Sequence, residues 1–481
     1  MLKNGVQLIT YPDSLGGTIE GLSEILQQFF TGAFTGIHLL PFYPSSADRG
    51  FAPLMYTEVD PRFGSWEQVE SLAQRYDLTV DIMVNHLSRS SMQFQDYREK
   101  GNKSRWADLF LQVVKVYPDG VIPPEDLKHI YTRKPRSPVT TVTHPDGSSE
   151  LLWCTFSEEQ IDLDVHSQVG LGYLESNIRF LCERGISVLR LDAFAYVTKK
   201  AGTNCFFIEP EIWEILERIR NITNEYRVAL LPEIHEHYSY QLKLERKGYR
   251  VYDFALPMVL LHTVFSRNAR RLKEWFGMCP RNQMTTLDTH DGIGVVDAEG
   301  ILTPEELDTA VNTLYKRGSN INRRYSSAEY NNLDIYQINC TFYSALGEDD
   351  NSYILCRAVQ FFAPGIPQVY YVGALSGSND IDLVEKTKQG RDINRHAYSK
   401  EEVKKEMERP VNMRLLRLMR FRSETEVFDG AFTIMESKDS SIVIRRTGIN
   451  GAEAILTVDL ENLTCSIEYT DAGGHRECWV C

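Results

Sequence analysis

Short apolar runs alternate with longer amphipathic stretches along most of this chain. The runs Val6–Tyr11, Gly36–Leu40, Thr79–Val84, Gly185–Leu191, Val228–Leu231, Val251–Ala255, Met284–Leu287 and Ile366–Tyr370 predict eight strands. Between them, Leu22, Ile25, Leu26 and Phe29 recur at helical spacing, as do Ile212, Ile215, Leu216 and Ile219. A further helix is predicted near Pro304–Lys316. Alternating strand and helix implies an α/β fold with a parallel sheet. Eight strands suffice to close a barrel, and a doubly wound open sheet is the rival. No G-x-G-x-x-G or G-x-x-x-x-G-K-[ST] follows any strand, which removes support from the nucleotide-binding versions of that rival.

The spacing is uneven. About a hundred residues separate the third and fourth runs, and the Pro- and basic-rich text Ile130–Pro138 within that gap reads as an inserted subdomain. A second long gap lies between Leu287 and Ile366. After about residue 428 only short β-like runs remain (Ala431–Met435, Ser441–Arg445, Ala454–Val458 and Cys465–Tyr469), which predicts a small C-terminal antiparallel β domain. The expected organisation is barrel over 1–86, inserted subdomain over 87–167, barrel over 168–292, a second insertion over 293–347, barrel over 348–427, and the β domain over 428–481.

Composition narrows the function classes. The chain has 481 residues, 42% hydrophobic and 25% charged, with no apolar run long enough to span a membrane and no signal-peptide core. A net charge of -14 and a pI near 5.4 argue against nucleic acid or an anionic membrane as partner. They also mean that an anionic substrate would need a local basic cluster. The nine cysteines are scattered with no C-x-x-C pair, which fits reduced thiols in a cytoplasmic protein rather than a zinc site.

Three strand-like runs end in carboxylates: Val-Leu-Arg-Leu-Asp at Asp192, Ala-Leu-Leu-Pro-Glu at Glu233, and Thr-Leu-Asp-Thr-His-Asp at Asp291. The carboxyl ends of strands are where a β/α barrel places its chemistry. Three carboxylates there can supply a nucleophile, a general acid/base and a charge that stabilises a developing cation, the equipment for glycosidic cleavage with retention. Arg190 sits two before Asp192, so alternation puts both on one face, either as a nucleophile with its orienting cation or as a structural ion pair. Glu233 precedes His235-Glu236-His237, which lacks the H-E-x-x-H spacing of a zinc helix, so no metal is expected there. A general acid fits Glu233 better. His290 beside Asp291 can donate to a bound hydroxyl. Asp81-Ile82-Met83-Val84-Asn85-His86 is a fourth strand end, with Asp81 ordering the rim and His86 either reaching the pocket or serving the core.

Taken in order, DIMVNH, VLRLDAF, LLPEIH and TLDTHD resemble the four sequence regions of the α-amylase superfamily of glycoside hydrolases and transglucosylases. That resemblance implies a (β/α)8 TIM-type barrel with Asp192 as nucleophile, Glu233 as general acid/base, Asp291 as transition-state stabiliser, and Arg190, His86 and His290 in support. VQLITYPDSLGGTI, VYDFALP, LDTHDGIGVVD, NNLDIYQIN, QVYYVGAL and GRDINRH are similar to a phosphorolytic branch of the superfamily. It implies that Asp48 and Arg395 grip the terminal glucose, that Phe51 and Phe156 line the sugar site with Tyr196 and Gln160 nearby, and that the loop containing Asp334, Tyr336 and Gln337 serves fructose and phosphate in turn. The implied partners are sucrose, inorganic phosphate, fructose and glucose 1-phosphate, handled by a glycosyl-transferring enzyme without a cofactor, as monomer or homodimer. Arg133, Lys134 and Arg136 are phosphate candidates, or else a solvated basic loop. Many amylases hold calcium near the position of Asn85; none is expected here. The alternatives are a phosphorylase or hydrolase for another α-glucoside, such as glucosylglycerol or a phosphorylated sucrose, and a non-catalytic transporter subunit. The last predicts a membrane anchor and lost carboxylates, and the sequence has neither.

Overall fold

A computed structural model describes residues 2–132, 136–319 and 337–481. Its eight parallel strands are β1 (Gln7–Thr10), β2 (Gly36–Leu39), β3 (Asp77–Met83), β4 (Val188–Asp192), β5 (Ala229–Pro232), β6 (Val251–Asp253), β7 (Gln283–Thr286) and β8 (Ile366–Tyr370). They belong to one sheet in the order β6-β7-β8-β1-β2-β3-β4-β5, the sequential cyclic order of a (β/α)8 barrel. All eight predicted runs are strands. Their burial is nearly complete, as expected where both faces of a parallel sheet are covered.

Contacts divide the chain into two compact units, one of residues 2–38, 235–319 and 337–481, the other of 39–132 and 136–234. In the first, β1 pairs with β8 (Gln7 opposite Gln368), β8 with β7 (Pro367 opposite Thr285) and β7 with β6 (Gln283 opposite Val251). Helix Ile19–Phe29 begins at Thr18, whose hydroxyl accepts from the Gly21 N–H, and it buries Leu22, Ile25 and Leu26. Helix Pro304–Lys316 starts in a reciprocal Thr303–Glu306 capping box with Pro304 at its first position. In this unit a five-stranded antiparallel meander, β9 (Ala431–Met435), β10 (Ser441–Thr447), β11 (Glu453–Asp459), β12 (Thr464–Thr470) and β13 (Arg476–Val480), follows helix Pro410–Glu424. Phe421 of that helix meets Trp479 and Tyr469 with ring centroids 4.8 and 5.4 Å apart. The pattern does not predict β13. Its residues are mostly exposed, so no apolar alternation marks it.

In the second unit β3 pairs with β4 (Asp81 opposite Arg190, Met83 opposite Asp192) and β4 with β5 (Arg190 opposite Leu231). Helix Gln168–Glu183 is followed by Gly185 at φ 78°, a left-handed residue that lets the chain turn out of the helix. That is why β4 starts three residues later than the apolar run. The segment between β3 and β4 carries the hairpin Val139–Thr143/Ser149–Trp153 and a short ladder joining His86–Ser88 to Gln160–Asp162. Among the described residues, no helix is long and apolar enough to cross a membrane.

Candidate active site

The alternation of β4 puts Arg190 and Asp192 on one face, and the structure joins them: Arg190 Nη1 donates to Asp192 Oδ1 at 3.0 Å. The same nitrogen donates to Asp81, its direct neighbour across the ladder in β3. Nη2 comes within 3.9 Å of Glu233 Oε1. One buried guanidinium therefore binds two carboxylates and comes near a third. Asp81 is fully buried and anchors the arginine. Ala193, directly after Asp192, holds φ 53° in the left-handed region. This conformation costs energy for a residue with a Cβ, and here it turns the Ala193 N–H onto Glu233 Oε2 at 3.0 Å. The Glu233 N–H in turn donates to Leu191 O at 3.0 Å, fixing the start of the loop after β5.

His86 is buried, and desolvation lowers its pKa, so the ring is neutral. Its Nε2 lies 2.8 Å from the Phe51 carbonyl, which can only accept, so Nε2 carries the proton. Gln160 donates to the same carbonyl at 3.0 Å while its Oε1 accepts from Ser157. Nδ1 of His86 is left as a bare acceptor, with no partner among the described residues. Phe156 sits edge-on to His86 (5.4 Å) and to Tyr196 (5.1 Å), and Tyr196 meets Phe206 at 5.0 Å. Arg190 lies over the Phe51 ring at 5.9 Å. Asp48 and Arg49 both take positive φ, 52° and 47°, in the turn that carries Phe51. Gly50 completes the turn; a Cβ there would stand 2.6 Å from Pro41 Cβ.

Asn85 is engaged by a cation of the chain itself. The Lys199 ammonium lies 2.6 Å from Asp162 Oδ2 and 2.9 Å from Asn85 Oδ1, and it also donates to the Tyr196 carbonyl. Asn85 Nδ2 and the Thr155 N–H meet Asp162 Oδ1 at 3.1 and 3.0 Å.

Asp291 lies in the first unit. Asp291 follows β7, with His290 Nε2 at 3.7 Å and Arg391 Nη1 at 3.2 Å from its oxygens. Asn394 donates to the Asp291 and Thr289 carbonyls at 3.0 and 3.2 Å and so holds the loop. Arg395 is buried, donates from Nη2 to the His290 carbonyl at 3.0 Å and lies over the Tyr11 ring at 5.7 Å. Gln337 pairs with Gly294 in a short antiparallel ladder. The side chains of Asp192, Glu233 and Asp291 are 13%, 12% and 12% exposed, which leaves each open to a ligand yet shielded from bulk water.

Arg136 is described and exposed, while Arg133, Lys134, Asp334 and Tyr336 lie outside the described residues. Reading the sequence singles out neither Arg391 nor Asn394 for a role, although both stand in the GRDINRH text, and it passes over Lys199, Asp162 and Phe206. Arg391, Asn394, Lys199 and Asp162 matter through partners distant in the chain, for which spacing gives no signal.

Residues 4–291 match the α-amylase catalytic domain. The chain is 50% identical over 471 residues to a sucrose phosphorylase of Streptococcus mutans, covering 97% of this chain and 98% of that one. It is 44% identical to a glucosylglycerol phosphorylase of Marinobacter adhaerens, covering 99% and 100%. The crystal structure of a sucrose 6F-phosphate phosphorylase from Thermoanaerobacter thermosaccharolyticum superposes with a TM-score of 0.95 at 41% identity, over 100% of this chain and 99% of that one. With its catalytic-domain match and near-complete coverage by these relatives, the chain belongs to the α-amylase family.

Proposed function

We propose that this protein catalyses the reversible phosphorolysis of sucrose to α-D-glucose 1-phosphate and D-fructose, as a cytoplasmic enzyme. Asp192 is the nucleophile. Its carboxylate attacks the glucosyl anomeric carbon while Glu233 gives its proton to the departing fructosyl oxygen. The product of this half-reaction is a β-glucosyl ester on Asp192. A phosphate oxygen then attacks the anomeric carbon from the opposite face and the Asp192 carboxylate leaves. The proton of the hydrogen phosphate is available to return Glu233 to its acid form. Two inversions give net retention. Asp291 stabilises the positive charge that develops on the ring. Asp48 and Arg395 grip the glucose hydroxyls, His86 Nδ1 accepts one more, and Phe51 and Phe156 cover the apolar face of the sugar. Arg136 belongs to the basic loop proposed to receive phosphate.

The observation that carries this reading is the shared Arg190 guanidinium. It makes Asp192 an oriented, ionised nucleophile at 3.0 Å, while the Ala193 N–H holds Glu233 beside it. The test is to incubate the protein with sucrose, with and without inorganic phosphate, and to follow glucose 1-phosphate, glucose and fructose. Phosphate-dependent glucose 1-phosphate matched by fructose is expected, and Asp192→Ala should abolish it. Free glucose in both tubes would make the protein a hydrolase. No turnover would direct the assay to glucosylglycerol and sucrose 6F-phosphate, the substrates named for its 44% and 41% identical relatives.

A further inference from the structure

Asp297 is a buried carboxylate without an evident structural purpose. It sits in the turn Val296–Ala298, is 1% exposed, and neither of its side-chain oxygens has a hydrogen-bond partner among the described residues. A buried carboxylate is tolerated where a cation or donor compensates it. The group that faces it is His235, whose Nδ1 lies 3.6 Å from Asp297 Oδ2. That imidazole is stacked face to face on Phe254, with ring centroids 3.7 Å apart and planes 19° from parallel, so its plane is fixed. Gly294 makes room for the carboxylate, because a Cβ there would fall 2.1 Å from Asp297 Oδ2.

The same imidazole belongs to the Asp291 side of the site, since a ring nitrogen of His235 lies within 4.8 Å of an Asp291 carboxylate oxygen. The other charged groups around it are Asp253 at the end of β6, Arg391 and His290 on Asp291, and its chain neighbours Glu233 and Glu236. Asp253 is fully buried. Burial, and to a lesser degree the charge of Asp297, push its carboxyl up to about 7 against the hydrogen bonds from Trp275 and Leu256.

We infer that Asp297 is a positioning residue that holds the His235 imidazole protonated and fixed in orientation, so that the Asp291 side of the site offers a cation to the incoming phosphate. This rests on the phosphorolytic reading. It answers a difficulty that reading raises, because a phosphate anion must enter among carboxylates, and an imidazolium at this point offsets them.

The test compares Asp297→Asn and Asp297→Glu with the parent enzyme, varying phosphate at saturating sucrose across pH 5.5–8.5. Asp297→Asn should raise the phosphate KM about tenfold at neutral pH and move the basic limb of kcat/KM for phosphate about one unit toward acid. The sucrose KM and any hydrolysis in the absence of phosphate should stay near parent values, and Asp297→Glu should recover most of the loss. Phosphate ionises identically with every variant, so a difference between them belongs to the protein. An unshifted basic limb in Asp297→Asn, or an equal loss toward phosphate and toward a neutral acceptor alcohol, overturns the inference. Should Asp297→Asn fail to fold, His235→Gln must reproduce the raised phosphate KM and lose the basic limb; a parental limb there overturns it equally. If the parent forms no glucose 1-phosphate from any α-glucoside, the phosphorolytic reading is what fails. Titration of the His235 ring by NMR then decides this inference alone. Its midpoint should fall by about one unit in Asp297→Asn, and an unchanged midpoint rejects the pairing.

Discussion

At the scale of the residue, three acids gain different characters from one cation. Arg190 donates to Asp81 and to Asp192 but only approaches Glu233, at 3.9 Å. The first two are hydrogen-bonded to the cation directly, whereas Glu233 is held by the Ala193 N–H through Oε2, in keeping with the separate acid role proposed for it. Glu233→Gln should therefore slow release of poor leaving groups most and spare activated ones such as α-glucosyl fluoride. Measured kcat across a series of leaving groups should fall more steeply with leaving-group pKa in the variant; parallel lines would assign the proton transfer elsewhere. The carboxylates themselves are legible in the sequence because each closes an apolar run. The bond between Asp81 and Arg190 is not, because it depends on the register of two strands separated by a long insertion.

At the scale of the element, strands with both faces buried read as continuous apolar runs, and for that reason every barrel strand is visible before the fold is known. Helix Asp350–Phe362 illustrates the opposite case. From Ser352 onward every residue is buried, so no polar stripe alternates with an apolar one and the helical period is lost. That helix carries Arg357, fully buried and donating to Asp288 at the end of β7, whose carboxyl is pushed up by burial. Gly373 packs against both, since a Cβ there would fall 2.0 Å from Asp288 Oδ2 and 2.2 Å from Arg357 Nη2. Asp288 also accepts from the Tyr370 N–H at 3.2 Å, tying the end of β7 to β8 just before the loop that holds Asp291. Removing one member of such a buried pair leaves the other uncompensated. Arg357→Met should lose about 3–5 kcal/mol of stability by denaturant titration. Arg357→Met combined with Asp288→Leu should recover part of it, and additive losses would mean that the two charges do not depend on each other.

For the whole molecule, Asp253 sets a dependence of stability on pH. Its folded value of about 7 lies above that of an exposed carboxyl, so the folded chain holds this proton more tightly than the unfolded one. The contribution is therefore full below about pH 4 and declines by roughly 1.4 kcal/mol per pH unit up to about pH 7, where the buried group ionises. Asp253→Asn cannot ionise. The stability advantage of the parent over this variant, measured as denaturant midpoints at pH 5 and pH 8, should narrow with rising pH. A gap that stays constant would mean that Asp253 keeps one protonation state throughout.

Lys199 bears on which reagents this protein can share a solution with. Where a loop is pinned by a dissolved divalent ion, anything that sequesters the ion unpins the loop, and phosphate is such a sequestrant. An enzyme that uses phosphate as co-substrate would then be weakened by its own reactant. Here the positive charge bridging Asn85 and Asp162 is carried on the peptide chain. That charge cannot be precipitated, chelated or diluted away, so this one link between Asn85 and Asp162 does not depend on a dissolved ion.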